Sequence, residues 1–134
     1  MGQTIRATAL IVDDDAGQRE LIGTLLEETG LEVVEVASSE QAVNELRVGA
    51  HKIVLMVAAM HLPSFMDGAR LANYAQQWPW IRVVVTSDDR QSGDELPHPA
   101  VVMHKPWIPL HMLIQAEKAI FAASRDLVGR APKA

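Results

Sequence analysis

The feature that most restricts the fold of this chain is a repeated alternation between short apolar runs and segments with helical spacing. The five apolar runs are Ala7–Val12, Leu31–Ala37, Ile53–Ala58, Ile81–Thr86 and Ala100–His104. Apolar residues at helical spacing follow most of these runs. Strands that alternate with helices form parallel sheets, and their crossover connections are right-handed. The sequence therefore predicts an α/β fold with a doubly wound, five-stranded parallel sheet.

The ends of the helices can also be read from the sequence. The first helix is expected to stop at Gly30, and the capping-box spacing of Ser38 and Gln41 opens a second helix that runs to about Val48. The third helix covers Gly68–Gln77, before the WPW segment. Pro109 suits the first turn of the last helix, where its missing N–H has no consequence.

One connection is too poor in apolar residues for a full helix. The stretch SDDRQSGDELPHP, residues 87–99, separates the fourth and fifth strands and contains a glycine, two prolines and almost no apolar stripe. We therefore expect the fourth helix to be short or missing.

Composition is typical of a single soluble domain. The 134 residues are 49% hydrophobic and 22% charged, and they include no cysteine, which excludes disulfides and thiolate zinc sites. Acidic residues come too early for a signal peptide, and no apolar run reaches the roughly 18 residues that span a bilayer. We expect one cytoplasmic domain over residues 1–134, with a core at about 6–123 and a frayed tail at 124–134.

The residues that follow the strands are candidates for a functional site. Parallel strands end together at one edge of the sheet, and this edge is the usual place for a site in such folds. These strand-end residues are Asp13, Asp14 and Asp15 after the first strand, Ala59, Met60 and His61 after the third, Thr86 and Ser87 after the fourth, and Lys105 and Pro106 after the fifth.

The residue types at these ends fit a site for a cation and an oxyanion. Neighbouring carboxylates attract Mg²⁺, lysine offsets negative charge, and a hydroxyl can donate to a bound oxyanion. Each piece alone also has a structural explanation, since three aspartates equally suit the N-terminus of a helix and Lys-Pro is a common turn. Their occurrence on successive strand ends favours the functional interpretation.

With these motifs, the chain resembles the receiver domains of bacterial two-component response regulators. The resemblance covers residues 6–123 and rests on ALIVDDD, on LP and MDG after the third strand, on VVVTS and on HKPW. It implies a flavodoxin-like sheet with strand order 2-1-3-4-5. It also implies a non-enzymatic role in phosphorelay signalling, with a histidine kinase or another signalling protein as the partner.

The resemblance assigns roles to individual strand-end residues. In the family, an acid pair after the first strand binds Mg²⁺, and an aspartate at the end of the third strand accepts phosphate. Carried over to this sequence, the metal ligands are Asp13, Asp14 and the main-chain carbonyl of His61. The phosphoryl group would be bound by three further side chains, which are Thr86, Ser87 and Lys105.

Two positions depart from the family pattern. The phosphoacceptor position, four residues before Pro63, is Ala59, and a register slip of one residue would give Ala58. A methyl group cannot attack phosphorus, so neither alignment restores an acceptor. The position of the aromatic switch residue falls on Val102, which has no ring to turn toward Thr86. We therefore expect a receiver that is not phosphorylated and that acts through protein contacts.

The missing carboxylate also weakens the expected metal site. Only Asp13 and Asp14 remain, and Lys105 offsets one of their charges. We expect Mg²⁺ to bind with an affinity of about millimolar or weaker, as at oxygen sites of low charge.

Three explanations of Ala59 stay open from the sequence. The first is a natural pseudo-receiver, the second is an engineered Asp-to-Ala form of a conventional receiver, and the third is reuse of the site for a metal or ligand. A metal-dependent phosphatase-like enzyme on the same fold, with Asp13 as nucleophile, is a disfavoured alternative because no P-loop, G-x-G-x-x-G or G-x-S-x-G pattern is present.

Partner classes are restricted by charge and spacing. The net charge of −5 argues against nucleic-acid binding through a broad basic face. The histidines form no i,i+4 pair and are expected to be scattered on the surface; they are His51, His61, His98, His104 and His111. The tryptophans Trp78, Trp80 and Trp107 could bind a partner, although packing beside strand ends is their commoner use. A homodimer would use the first or the last helix.

Overall fold

We describe a computed structural model of the chain. It describes residues 7–63, 66–88, 96–97 and 99–129, and side chains to residue 124.

Five parallel strands form a single sheet. They are β1 (Thr8–Val12), β2 (Glu32–Val36), β3 (Ile53–Ala59), β4 (Arg82–Ser87) and β5 (Val101–His104), in the order β2-β1-β3-β4-β5. This order and the parallel pairing confirm the predicted doubly wound sheet. The order reverses between β1 and β3, and such a switch point is where open α/β sheets usually place a site.

The described part of the chain contains four α-helices and one short 3₁₀ helix. They are α1 (Ala16–Glu27), α2 (Ser39–Gly49), α3 (Gly68–Ala75) and α4 (Pro109–Gly129), with the 3₁₀ turn at Ala50–Lys52. The helix α4 is the one predicted to begin at Pro109. The predicted short or missing helix between β4 and β5 falls mostly on residues 89–95 and 98, which lie outside the described residues, so it stays a prediction.

The strand ends differ from the predicted ones by at most one residue, and larger differences occur in α3 and α4. The helix α3 stops at Ala75, two residues before the predicted end, because the chain turns there and the Trp78 N–H donates to the Ala75 carbonyl. At the other end of the chain, the backbone of α4 continues to Gly129, beyond the core boundary predicted at residue 123. The predicted fraying of residues 124–134 remains a prediction, since residues 130–134 are outside the described part.

Helices cover both faces of the sheet, which explains the uniformly apolar β3. One face packs against α2 and α3, and the other packs against α1 and α4. Successive residues of a strand point to opposite faces. Met56 and Ala58 accordingly lie in the first core cluster, and Leu55 and Val57 lie in the second. All seven residues of β3 are buried, as expected for a strand covered on both sides.

Local signals set the helix ends. The Ser38 hydroxyl accepts a hydrogen bond from the Gln41 N–H at the start of α2, and the Gln41 amide oxygen accepts one from the Ala37 N–H. These bonds satisfy amide donors that have no partner within the helix. Gly30, in the turn that follows α1, has a φ of 91°, a left-handed conformation that glycine adopts without a steric penalty.

The tryptophans of the WPW segment pack against the core. The Trp80 indole N–H donates to the Ala50 carbonyl at 2.9 Å, which ties the segment to the 3₁₀ turn before β3. Trp78 meets Tyr74 edge to face, with ring centroids 5.5 Å apart. Trp107 packs against the core cluster of the opposite face.

Candidate functional site

The register of the sheet brings the predicted site residues to one edge. Val12 pairs with Ala58 in β1 and β3, and Ala59 pairs with Thr86 in β3 and β4. Asp13, which follows Val12, is therefore on one side of Ala59 and Thr86 is on the other. The Lys105 N–H donates to the Ser87 carbonyl at 2.8 Å, which places the residue after β5 beside the end of β4.

Asp13 is a buried carboxylate with one oxygen left without a partner. The residue is 3% exposed, and its Oδ1 accepts a hydrogen bond from the Asp15 N–H at 2.9 Å. Its Oδ2 is buried and accepts no hydrogen bond in the described structure. A buried carboxylate oxygen without a donor is costly unless a cation or an ordered water fills the position.

Burial raises the pKa of Asp13 above its ordinary value. The hydrogen bond from the Asp15 backbone and the positive charge of Lys105 lower this pKa, while Asp14 and Asp15 raise it through repulsion. Removal from water is the largest of these effects, so the ionised form of Asp13 is unfavourable in this position, and a nearby positive charge would stabilise it.

The two other aspartates of the loop have different surroundings. Asp14 and Asp15 are exposed, and Asp15 caps α1, because its Oδ1 accepts a hydrogen bond from the Gln18 N–H at 3.0 Å. The helix-capping use considered from sequence is therefore confirmed for this run, and cation binding stays a prediction. Its last member caps the helix and its first member lies in the strand-end site.

On the opposite side of Ala59, Thr86 offers a buried hydroxyl. Thr86 is 2% exposed, and its Oγ1 has no hydrogen-bond partner in the described structure. Ser87 is also buried. The Lys105 ammonium lies 3.8 Å from the Asp88 carboxylate, whose side chain is 74% exposed. Such an exposed pair is weak, so Lys105 remains able to attract an anion at the rim of the site.

Ala59 lies between Asp13 and Thr86 at the end of β3. It is 7% exposed, and the following loop is held tightly against it, since the Gly68 N–H donates to the Met60 carbonyl at 2.8 Å. A Cβ on Gly68 would clash with the Ala59 carbonyl oxygen. Glycine is thus required where the start of α3 meets the end of β3.

The cation site expected from the sequence would draw on oxygen atoms at the ends of β1 and β3. The orphaned Asp13 Oδ2, exposed Asp14 and the main chain at exposed His61 supply oxygen atoms of the type that Mg²⁺ prefers. No cluster of three or more acidic or histidine side chains capable of holding a metal occurs among the described residues. Two carboxylates and a carbonyl would leave the remaining positions to water, which Mg²⁺ tolerates.

Val102 lies in β5 opposite Val85 and is half-buried. The sheet thus has an aliphatic side chain where the resemblance implied an aromatic switch.

Sequence reasoning missed the basic residue that supports the acidic loop. Arg19 on α1 donates from Nη1 to the Asp13 carbonyl oxygen at 2.7 Å, and its Nε lies 3.5 Å from Glu35 Oε1 on β2. It therefore ties the end of β1 to the neighbouring strand. The helical position of Arg19, six residues after Asp13, was a signal that could have suggested this contact.

A comparison with protein families shows the family to which the chain belongs. The model of the response regulator receiver domain matches residues 9–97 of this chain. The chain belongs to the response regulator receiver family. The match includes the strand ends that carry Asp13, Ala59 and Thr86, and these receiver domains are typically signalling domains without enzymatic activity.

Solved structures show the same fold at low sequence identity. A response regulator receiver protein from Sinorhizobium medicae is 22% identical, with a TM-score of 0.79 over 87% of this chain and 96% of that chain. A receiver domain protein from Clostridium thermocellum is 22% identical, with a TM-score of 0.76 over 91% and 98% of the two chains. An uncharacterized protein from Neptuniibacter caesariensis is 22% identical, with a TM-score of 0.80 over 95% and 97%.

No curated protein is significantly similar to this chain. Within the described part of the receiver, no helix is long and apolar enough to cross a membrane.

Proposed function

We propose that this receiver domain works in two-component signalling without phosphorylation at the usual position, which is occupied by Ala59. The observation that carries the proposal is the pairing of Ala59 with Thr86 and its position beside Asp13. The side chain between the buried carboxylate and the buried hydroxyl is a methyl group. Phosphorylation requires a carboxylate oxygen that attacks phosphorus in line with the leaving group, and no such oxygen is available there.

The remaining side chains would keep part of the receiver chemistry. Asp13, Asp14 and the His61 carbonyl would hold Mg²⁺, which when bound supplies positive charge beside an oxyanion. Thr86 and Ser87 would donate hydrogen bonds to that oxyanion, and Lys105 would offset its charge. With no acceptor at residue 59, these groups have no acyl phosphate to stabilise. Signalling would then depend on contacts with a histidine kinase or another signalling protein.

Two explanations of Ala59 are consistent with this proposal. The intact set of Asp13, Thr86 and Lys105 supports an engineered or recent replacement of aspartate. The aliphatic Val102 in β5 supports a natural receiver that has also lost the aromatic switch. Restoring the carboxylate separates the two explanations.

The deciding experiment is the substitution Ala59→Asp, with Ala59→Asn as a matched control of nearly the same shape. Each protein is incubated with acetyl phosphate and Mg²⁺, and its intact mass is measured. We expect no phosphoryl adduct on the wild-type protein or on Ala59→Asn, and an adduct on Ala59→Asp that disappears when Asp13→Ala is added.

An adduct on an aspartate of the wild-type protein would overturn the proposal. A folded Ala59→Asp protein that takes no phosphate would instead show that the surrounding residues no longer form a working phosphorylation site. That result would favour a long-standing loss of phosphorylation over a recent replacement.

A further inference from the structure

The sheet has a notch at the start of β4, at the edge opposite the strand-end site. The strand β5 begins at Val101 and pairs from Val84 onward, so Arg82 and Val83 extend past its start. A cavity of about 260 Å³ lies in this notch. Because β5 does not separate the two faces at this level, the walls include residues of α3 on one face and Ala122 of α4 on the other.

The walls of the notch cavity are mostly aromatic or apolar and are held in place. Trp78, Trp80, Pro97 and Pro99 line it, together with small alanine side chains. The hydrogen bond from Trp80 to the Ala50 carbonyl fixes one indole. The edge-to-face contact with Tyr74 orients the other. An aromatic ring placed in such walls would bind without first having to order them.

Among the described residues that line the notch cavity, Arg82 is the one that carries a charge. Its Nε donates to Gln115 Oε1 at 2.7 Å, which orients the guanidinium at the cavity wall. The ion pairs found in the described part of the chain join Arg19 to Glu35 and Lys105 to Asp88, so Arg82 has no carboxylate partner there. The other guanidinium N–H groups form a planar fork that matches a carboxylate.

We propose that the notch cavity binds a small aromatic monocarboxylate, with its carboxylate on Arg82 and its ring against Trp78 and Trp80. The volume is slightly below that of pockets for drug-sized ligands, which suits a molecule with one ring. Arg82 is the charged residue among the described lining residues, so a second negative charge on the ligand would be buried unpaired. This inference concerns a different part of the domain and does not depend on the role of Ala59.

Benzoate is the probe for the test, and benzamide is its neutral control of the same shape. Each is titrated into ¹⁵N-labelled protein while the indole N–H signals of Trp78 and Trp80 and the amide signal of Val83 are followed. For benzoate we expect saturable shifts with a Kd on the order of 1 mM, which a ligand of this size can reach in a preformed site. Benzamide is expected to bind about tenfold more weakly, because it lacks the charge-assisted hydrogen bonds.

Two variants test the location, and a third is their control. Ala122→Phe fills the cavity from an exposed helix position, and Arg82→Gln removes the charge while keeping a polar side chain. Both are expected to weaken benzoate binding about tenfold or more. Ser124→Phe adds the same ring at an exposed position of α4 outside the cavity and is expected to leave the Kd unchanged.

Three results would overturn the inference. The first is the lack of a saturable shift at about ten times the expected Kd. The second is equal affinity for benzamide and benzoate. The third is a set of shifts centred on Thr86 and Lys105, which would mean that the anion binds at the strand-end site. The ¹⁵N spectrum of each variant shows independently whether it is folded.

Discussion

Among the glycines of the described part of the chain, Gly68 is the one where an added methyl group should cost most, because α3 closely approaches the end of β3. In Gly68→Ala the new Cβ would clash with the Ala59 carbonyl oxygen and would lie 2.8 Å from the Met60 Cα and 2.9 Å from the Ala59 carbonyl carbon. Non-bonded carbon atoms normally approach to about 3.5–4.0 Å, so relief requires a movement of about 1 Å. All three contacts are backbone atoms, and no flexible side chain can move aside.

The magnitude follows from these distances. Overpacking of this kind costs about 1–3 kcal/mol, and loss of the hydrogen bond from Gly68 to Met60 would add about 1 kcal/mol. The better helix propensity of alanine returns at most about 1 kcal/mol. We expect the free energy of unfolding to fall by about 2 kcal/mol and Tm to fall by about 5–10 °C.

Urea and thermal unfolding followed by circular dichroism measure this change. The matched control is Gly17→Ala in the first turn of α1, where the added Cβ would lie 3.4 Å from the flexible Asp15 carboxylate. This control is expected to be neutral or slightly stabilising. If Gly68→Ala unfolds within about 0.5 kcal/mol of the wild-type protein, the steric argument for this glycine is wrong.

Two other predictions concern the acidic loop. Burial raises the pKa of the Asp13 carboxyl in the native state above its ordinary value in the unfolded chain. The free energy of unfolding therefore falls as the pH rises from the ordinary carboxyl pKa through the raised native pKa, because ionised Asp13 is less favourable in the folded protein. Asp13→Asn is therefore expected to be more stable than the wild-type protein at neutral pH but no more stable than it in acid. Urea unfolding at both pH values measures this, and an equal difference in midpoint at the two pH values would contradict it. Arg19→Met should lower the free energy of unfolding by about 1–2 kcal/mol, because the hydrogen bond to the Asp13 carbonyl is lost. Glu35→Gln removes only the partly exposed ion pair with Arg19 and should lower it by less than about 0.5 kcal/mol. Equal losses in these two variants would show that the bond to Asp13 is not the main contribution.

The strands were predictable because their signal is local, whereas their order was expected only from the family resemblance. A run such as Ile53–Ala58 is apolar throughout, and a strand of that kind has to be covered on both faces. The strand-end positions of Asp13, Thr86 and Lys105 then follow from parallel pairing, and the register places them at one edge. The family resemblance supplied their expected roles.

Features that depend on packing between distant elements were not predictable in this way. The contact from Arg19 to the Asp13 carbonyl and Glu35 requires the relative placement of α1 and β2. The need for glycine at residue 68 depends on how closely α3 approaches β3, which a turn pattern does not specify. The notch beside Arg82 exists because β5 starts opposite the third residue of β4, and strand register is not encoded in a short apolar run.

The complete burial of β1 and β3 has a consequence for how this receiver can be regulated. Backbone amides in such strands exchange with solvent chiefly when the whole domain unfolds. Asp13 and Ala59, at the ends of these strands, are thus expected to keep their positions until the domain unfolds. A signal that changes the site without unfolding the domain therefore has to act on its exposed rim, which includes Asp14 and His61.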